Sequence, residues 1–143
     1  MKITHNQLVN KSAKWLKKHT ENIIIPNCSF VIIEQKTTAN EIADVIGFCS
    51  WASVKIEAKI SVPDFKKEAK KKFKNNEDSE MGNFRYFITP ANLIAIEDVP
   101  VKWGLLYFEN DKITIAKKAI TQNANLVSER SLLLTFIKNK KLK

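Results

Sequence analysis

Residues 29–35 (SFVIIEQ), 41–48 (EIADVIGF) and 53–60 (SVKIEAKI) decide the fold. Each run is rich in β-branched and aromatic residues and is set off by a few polar ones, which predicts three successive strands. Connections this short join antiparallel neighbours, so the three form a meander. Toward the N-terminus, Thr4 suits the N-cap of a helix over residues 5–19, with Leu8, Val9, Ala13, Trp15 and Leu16 as its apolar stripe and Lys11, Lys14, Lys17 and Lys18 mostly facing water. Toward the C-terminus, Pro63 and Asp64 open a second helix over 64–73, where Asp64 can cap free amides and Phe65, Ala69 and Phe73 recur at four-residue spacing. Residues 84–89 (FRYFIT) predict a strand closed by Pro90, parallel to the meander because a helix precedes it. Residues 103–109 and 112–116 flank Asn110 and Asp111, a two-residue hairpin signal, and a helix over 126–138 ends the chain. The expectation is a single α/β domain over 1–143: a mixed central sheet flanked by helices, ordered αβββαβ, with an extra C-terminal hairpin and helix.

Composition agrees and narrows the function. With 143 residues, 44% hydrophobic and 27% charged, the chain suits one core. The 24 Lys and Arg exceed the 15 Asp and Glu, a formal charge of +9 that favours a polyanionic partner, nucleic acid first. No apolar run approaches the roughly 20 residues of a membrane span, so no membrane association is expected. Cys28 and Cys49 form no CxxC motif, and a reducing cytoplasm is the expected compartment. His5 and His19 lack zinc-clamp spacing, and three glycines cannot supply a phosphate-cradling loop. Carboxylates and lysines remain, the pairing that holds a hard metal ion and faces a phosphate.

Two acids stand where a mixed sheet is usually apolar: Asp44 between Ala43 and Val45, and Glu57 between Ile56 and Ala58. Alternation puts Val54, Ile56, Ala58 and Ile60 on one face and Lys55, Glu57 and Lys59 on the other. A hairpin could bring Asp44 beside Glu57, and two close carboxylates repel unless a cation such as Mg2+ or Mn2+ sits between them. Lys59 would then stand beside the attacking water or a phosphate.

At these residues the chain resembles the PD-(D/E)xK nuclease superfamily, whose motif reads here as Ala43-Asp44 followed by Glu57-Ala58-Lys59. The helix and strand order over residues 4–90 also resembles the restriction-endonuclease-like core of that superfamily. The stretches SVPDF (61–65), MGNFRYFITP (81–90), NLI (92–94) and WGLLYF (103–108) are similar to a small group of phage and bacterial nuclease-like proteins. The resemblance implies Asp44 and Glu57 as metal ligands, the Ala58 carbonyl as a further ligand, Lys59 as the catalytic lysine, and Mg2+ (or Mn2+) as cofactor. Ala43 replaces the motif's proline. Some members place another acid on the first helix, which carries none here; Glu34 and Glu41 are the available substitutes, Glu34 preferred.

Lys66, Lys67, Lys70, Lys71, Lys72 and Lys74 oppose only Glu68 within nine residues, either a solvated helix face or a phosphate-tracking surface. Arg85 is a candidate phosphate donor, while Tyr86, Trp15 and Trp103 read as core and Trp51 as a turn residue. The expected function is metal-dependent phosphodiester hydrolysis, in DNA and endonucleolytic. The alternative is a nucleic-acid-binding protein of the same fold with weak or no catalysis. A homodimer is one arrangement that would let so small a core engage both strands of a duplex.

Overall fold

The computed structural model describes residues 2–18, 27–36, 42–74 and 77–140. Its elements run α1 (His5–Lys17), β1 (Phe30–Lys36), β2 (Ile42–Phe48), β3 (Ser53–Ala58), α2 (Val62–Lys74), β4 (Phe84–Pro90), β5 (Gly104–Glu109), β6 (Lys112–Lys117) and α3 (Leu126–Lys140), with single 3-10 turns at Glu77–Ser79 and Ile96–Asp98. The six strands form one sheet in chain order. β1, β2 and β3 are antiparallel neighbours, β4 lies parallel to β3 and β5 parallel to β4, and β6 closes antiparallel to β5. The molecule is thus a mixed α/β structure with a six-stranded mixed sheet flanked by helices.

Local chemistry explains the boundaries. α1 starts with a reciprocal capping box: the Thr4 hydroxyl accepts from the Gln7 amide at 3.1 Å, and the Gln7 side chain accepts from the Thr4 amide at 2.8 Å. α2 begins earlier than the sequence suggests. Its cap is Ser61, whose hydroxyl accepts from the Asp64 amide at 3.3 Å, so Asp64 sits inside the first turn, where its charge favours the helix dipole. The β5–β6 turn places Asn110 (φ 52°) and Asp111 (φ 62°) in the left-handed region, matching the twist of the strands it joins.

Both faces of the sheet are covered. Leu8, Val9 and Leu16 of α1 pack on Val45, Val54, Ile56, Tyr86 and Ile88. On the opposite face, Phe65 and Ala69 of α2 pack on Phe87, Trp103 and Leu105, and Leu132 of α3 packs on Ile32, Ile46 and Met81. Every residue of β3 is buried, as expected for a strand with a parallel neighbour and helices on either side. The face of β3 that carries Lys55 and Glu57 therefore lies inside the molecule, against α2, and its charges must find partners there.

Trp103 and Tyr86 are core residues as expected, Trp51 is exposed at the turn before β3, and Cys28 is a buried filler. Burial, with Cys49 nearby, pushes the Cys28 thiol up to about 12, which removes it as a nucleophile. No helix among the described residues is long and apolar enough to cross a membrane.

Candidate functional site

The β2–β3 ladder runs from Phe48↔Ser53 to Val45↔Ile56, and beyond it side chains take over from main-chain partners. The Asp44 carboxylate accepts the Ala58 amide at 2.8 Å, and the Asp44 amide points at Glu57 Oε1 at 3.4 Å. The two residues expected to meet are thus in contact, through the Asp44 main-chain amide. On the other edge of β3 the Lys59 amide donates to the Ile88 carbonyl. Alternation turns the N–H and the C=O of Ala58 to the same edge of β3, the edge that Asp44 meets through the N–H.

Glu57 is 7% exposed and has no ion pair among the described residues. Burial is the main force on it. Asp44 and Glu68 push its carboxyl up further, Lys55 and Lys72 pull it down, and the net effect raises it to about 7. Around it Lys55 meets Glu80 at 2.8 Å, and Lys72 bridges Glu80 at 2.6 Å and Glu68 at 3.2 Å. Burial works against the Glu80 charge, yet Lys55 and Lys72 outweigh it and hold the carboxyl at about 2. Glu68 behaves likewise: burial opposes its charge, and Lys72 and Lys59 lower its pKa. Two ammonium groups on this face, those of Lys55 and Lys72, also lie within 6 Å of the Trp103 ring, at 5.8 and 5.3 Å.

Lys59 is on the same side of β3 as Glu57, and its ammonium lies 3.6 Å from Glu68. With Glu57 protonated, three lysines face three carboxylates, Asp44, Glu68 and Glu80; an ionised Glu57 leaves one negative charge in excess. That imbalance and the all-oxygen donor set, two carboxylates and the Ala58 carbonyl, fit a hard divalent cation. Among the described residues no group of three or more His, Cys, Asp or Glu gathers into a metal-holding set. Of the auxiliary acids, Glu34 lies on β1 between the pairs Ile33↔Val45 and Gln35↔Ala43, level with Asp44. Its side chain, and Glu41 altogether, fall outside the described residues.

Other expectations divide. Lys66, Lys67, Lys70 and Lys71 are exposed on α2, while the Lys74 side chain lies outside the described residues. Lys72 is turned inward: with Phe65 and Ala69 it completes the i, i+4, i+7 stripe that faces the sheet. Arg85 is a correction. It is 1% exposed, and its guanidinium donates to the carbonyls of Gly82, Glu80 and Asn123 and to the Gln122 side chain, so it ties β4 to the segment before α3 and does not face solvent. Sequence reading missed His5, whose Nε2 lies 3.3 Å from Asp44 Oδ2, and it missed the inward roles of Lys55, Glu68 and Glu80. Helical spacing could have found Glu68, three residues after Phe65; nothing local marks His5, which sits 39 positions from its partner.

No protein-family model and no curated protein matches the chain. Among solved structures it is similar to the SPO1766 protein of unknown function from Silicibacter pomeroyi, with a TM-score of 0.68 and 18% identity over 99% of this chain and 92% of that one. At that identity the likeness is one of fold.

Proposed function

We propose that this chain is a metal-dependent nuclease that hydrolyses phosphodiester bonds in DNA, with a restriction-endonuclease-like core and a PD-(D/E)xK-type site. The observation that carries the reading is the junction of β2 and β3, where the Asp44 main-chain amide lies within hydrogen-bond range of the Glu57 carboxylate, the Asp44 carboxylate accepts the Ala58 amide, and Lys59 follows on the same side as Glu57. The element order from α1 to β4 is the αβββαβ order that the resemblance implies, which supports it further. Asp44, Glu57 and the Ala58 carbonyl would hold Mg2+ or Mn2+, which when bound supplies Lewis-acid stabilisation of charge on the phosphate.

The chain's own groups do the rest. Asp44 is oriented by the Ala58 amide and by His5, so its carboxylate enters the reaction in one fixed pose. Glu68 holds the Lys59 ammonium on the side of β3 that carries Glu57, from which it would orient the attacking water and offset charge that builds as the water oxygen bonds to phosphorus and the bond to the leaving sugar oxygen breaks. The exposed Lys66, Lys67, Lys70 and Lys71 follow directly on the chain and can engage flanking phosphates.

The test is cleavage of supercoiled and linear DNA in Mn2+ and Mg2+, with metal affinity measured by calorimetry. Asp44→Asn and Glu57→Gln should lose metal affinity and at least about 100-fold in rate, and Lys59→Ala should lose rate while keeping metal affinity. A non-catalytic DNA-binding protein is the second reading, favoured by the engagement of Lys59 with Glu68. It requires unchanged DNA affinity in these variants and no cleavage in any.

A further inference from the structure

A cavity of about 670 Å³ opens where the start of α1 meets the ends of β4 and β5. We infer that it receives the nucleobase next to the scissile phosphate and selects bases that carry an exocyclic amino group, an inference that rests on the nuclease reading and names its substrate contact. Its volume lies within the roughly 300–1,000 Å³ of small-molecule sites. It sits at the carboxyl ends of the parallel strands, the crevice where open α/β sheets bind ligands.

Two lining residues are chain neighbours of the acidic site: Ile60 follows Lys59, with its side chain on the other face of the strand, and Thr4 precedes His5, which meets Asp44. Ile60 is 41% exposed, so the core does not account for it. With Pro90, Leu93 and Phe108 it makes an apolar wall with one aromatic ring, the chemistry on which a base stacks. The polar rim favours a base over a phosphate. Glu109 and Asn110 stand there, and a carboxylate repels phosphate but accepts from an exocyclic N–H donor, which cytosine, adenine and guanine carry and thymine lacks. At the nearby α1 terminus the Thr4 and Gln7 amides are already held by the capping box. Lys2, also on the rim, is a cation suited to the phosphate attached to such a nucleoside.

The experiment titrates the full chain in EDTA with dCMP, dTMP and 2-deoxyribose 5-phosphate, followed by calorimetry and by amide chemical shifts. dCMP should bind about tenfold tighter than dTMP, the sugar phosphate should not bind, and shifts should concentrate at Ile60, Leu93 and Phe108. Phe108→Ala should weaken dCMP about tenfold. Glu109→Gln, at an exposed position that leaves the core intact, should bring dCMP and dTMP within about twofold of each other. Equal binding of dCMP and dTMP by the unaltered chain, binding of the sugar phosphate as tight as dCMP, or an unchanged ratio in Glu109→Gln overturns the inference. Metal-free binding separates the two readings: base selectivity without cleavage removes the nuclease and keeps the pocket, and cleavage without base selectivity does the reverse.

Discussion

Glu57 and Glu80 sit a few side chains apart in one buried cluster and are driven in opposite directions. Glu80 has two lysines; Glu57 has burial and a neighbouring acid. The folded Glu80 carboxyl lies at about 2 against an ordinary 4.5, so its contribution is complete above pH 4.5 and is lost as pH falls toward 2. Glu57 has the opposite sign. Its folded pKa is raised to about 7, so stability is full below pH 4.5 and declines as pH rises to about 7, where the folded chain too gives up the proton. Metal-free urea denaturation should therefore show a maximum near pH 5, with a loss of up to about 3 kcal/mol on the alkaline side. Glu57→Gln should abolish that alkaline loss while it abolishes cleavage, a trade of stability for function common at active sites. A wild-type chain more stable at pH 8 than at pH 5 would mean that Glu57 is charged and paired. Glu80→Gln leaves two buried ammonium groups short of their carboxylate and should cost about 3–5 kcal/mol at pH 7, measured by the same denaturation.

At the scale of elements, α2 divides its charges by face. Phe65, Ala69 and Lys72 turn to the sheet with Glu68 beside them, and Lys66, Lys67, Lys70 and Lys71 remain outside. Among the described side chains of α2, these outer four are the lysines open to DNA. Replacing all four by Gln should leave thermal stability within about 1 kcal/mol, because solvated lysines contribute little. DNA affinity should fall, and the slope of log affinity against log salt should flatten by about 0.9 for each phosphate that a lysine no longer neutralises. An unchanged slope would assign this face to solubility alone. The same division is half legible in the sequence: the lysine run is plain, but that Lys72 belongs to the inner set follows only once the stripe is counted as i, i+4, i+7.

Across the whole molecule, buried polar groups join elements that apolar packing alone would leave loosely related. Glu129 of α3 accepts from the Ser53 hydroxyl at 2.6 Å and the Gly82 amide at 2.7 Å, which fastens the last helix to the start of β3. Gly82 sits at φ +96°, a backbone that favours glycine, and an added Cβ would meet Lys55 Cβ at 2.8 Å. Arg85 completes the joint by binding the 80–82 turn and residues 122–123 together. Lysine cannot reproduce a forked set of donors, so Arg85→Lys should lower stability by about 2–4 kcal/mol by chemical denaturation. DNA affinity of the protein that remains folded should be unchanged; a selective loss of affinity would return Arg85 to the binding surface.

What the sequence determined by itself was local. Alternation and short polar breaks marked the three-strand meander, the hairpin at Asn110 and Asp111, and the meeting of Asp44 with Glu57, because antiparallel neighbours with short connections have few registers open to them. Tertiary structure alone decided which charges are inside. Once helices cover both faces of β3, Lys55, Glu57 and Glu80 leave water and each must settle with whatever docks against it: Lys72 and Glu68 from α2 on one side of the site, and His5 from α1 at Asp44. Those partners come from helix docking, and no periodicity along the chain encodes the distance between a helix face and the strand it covers.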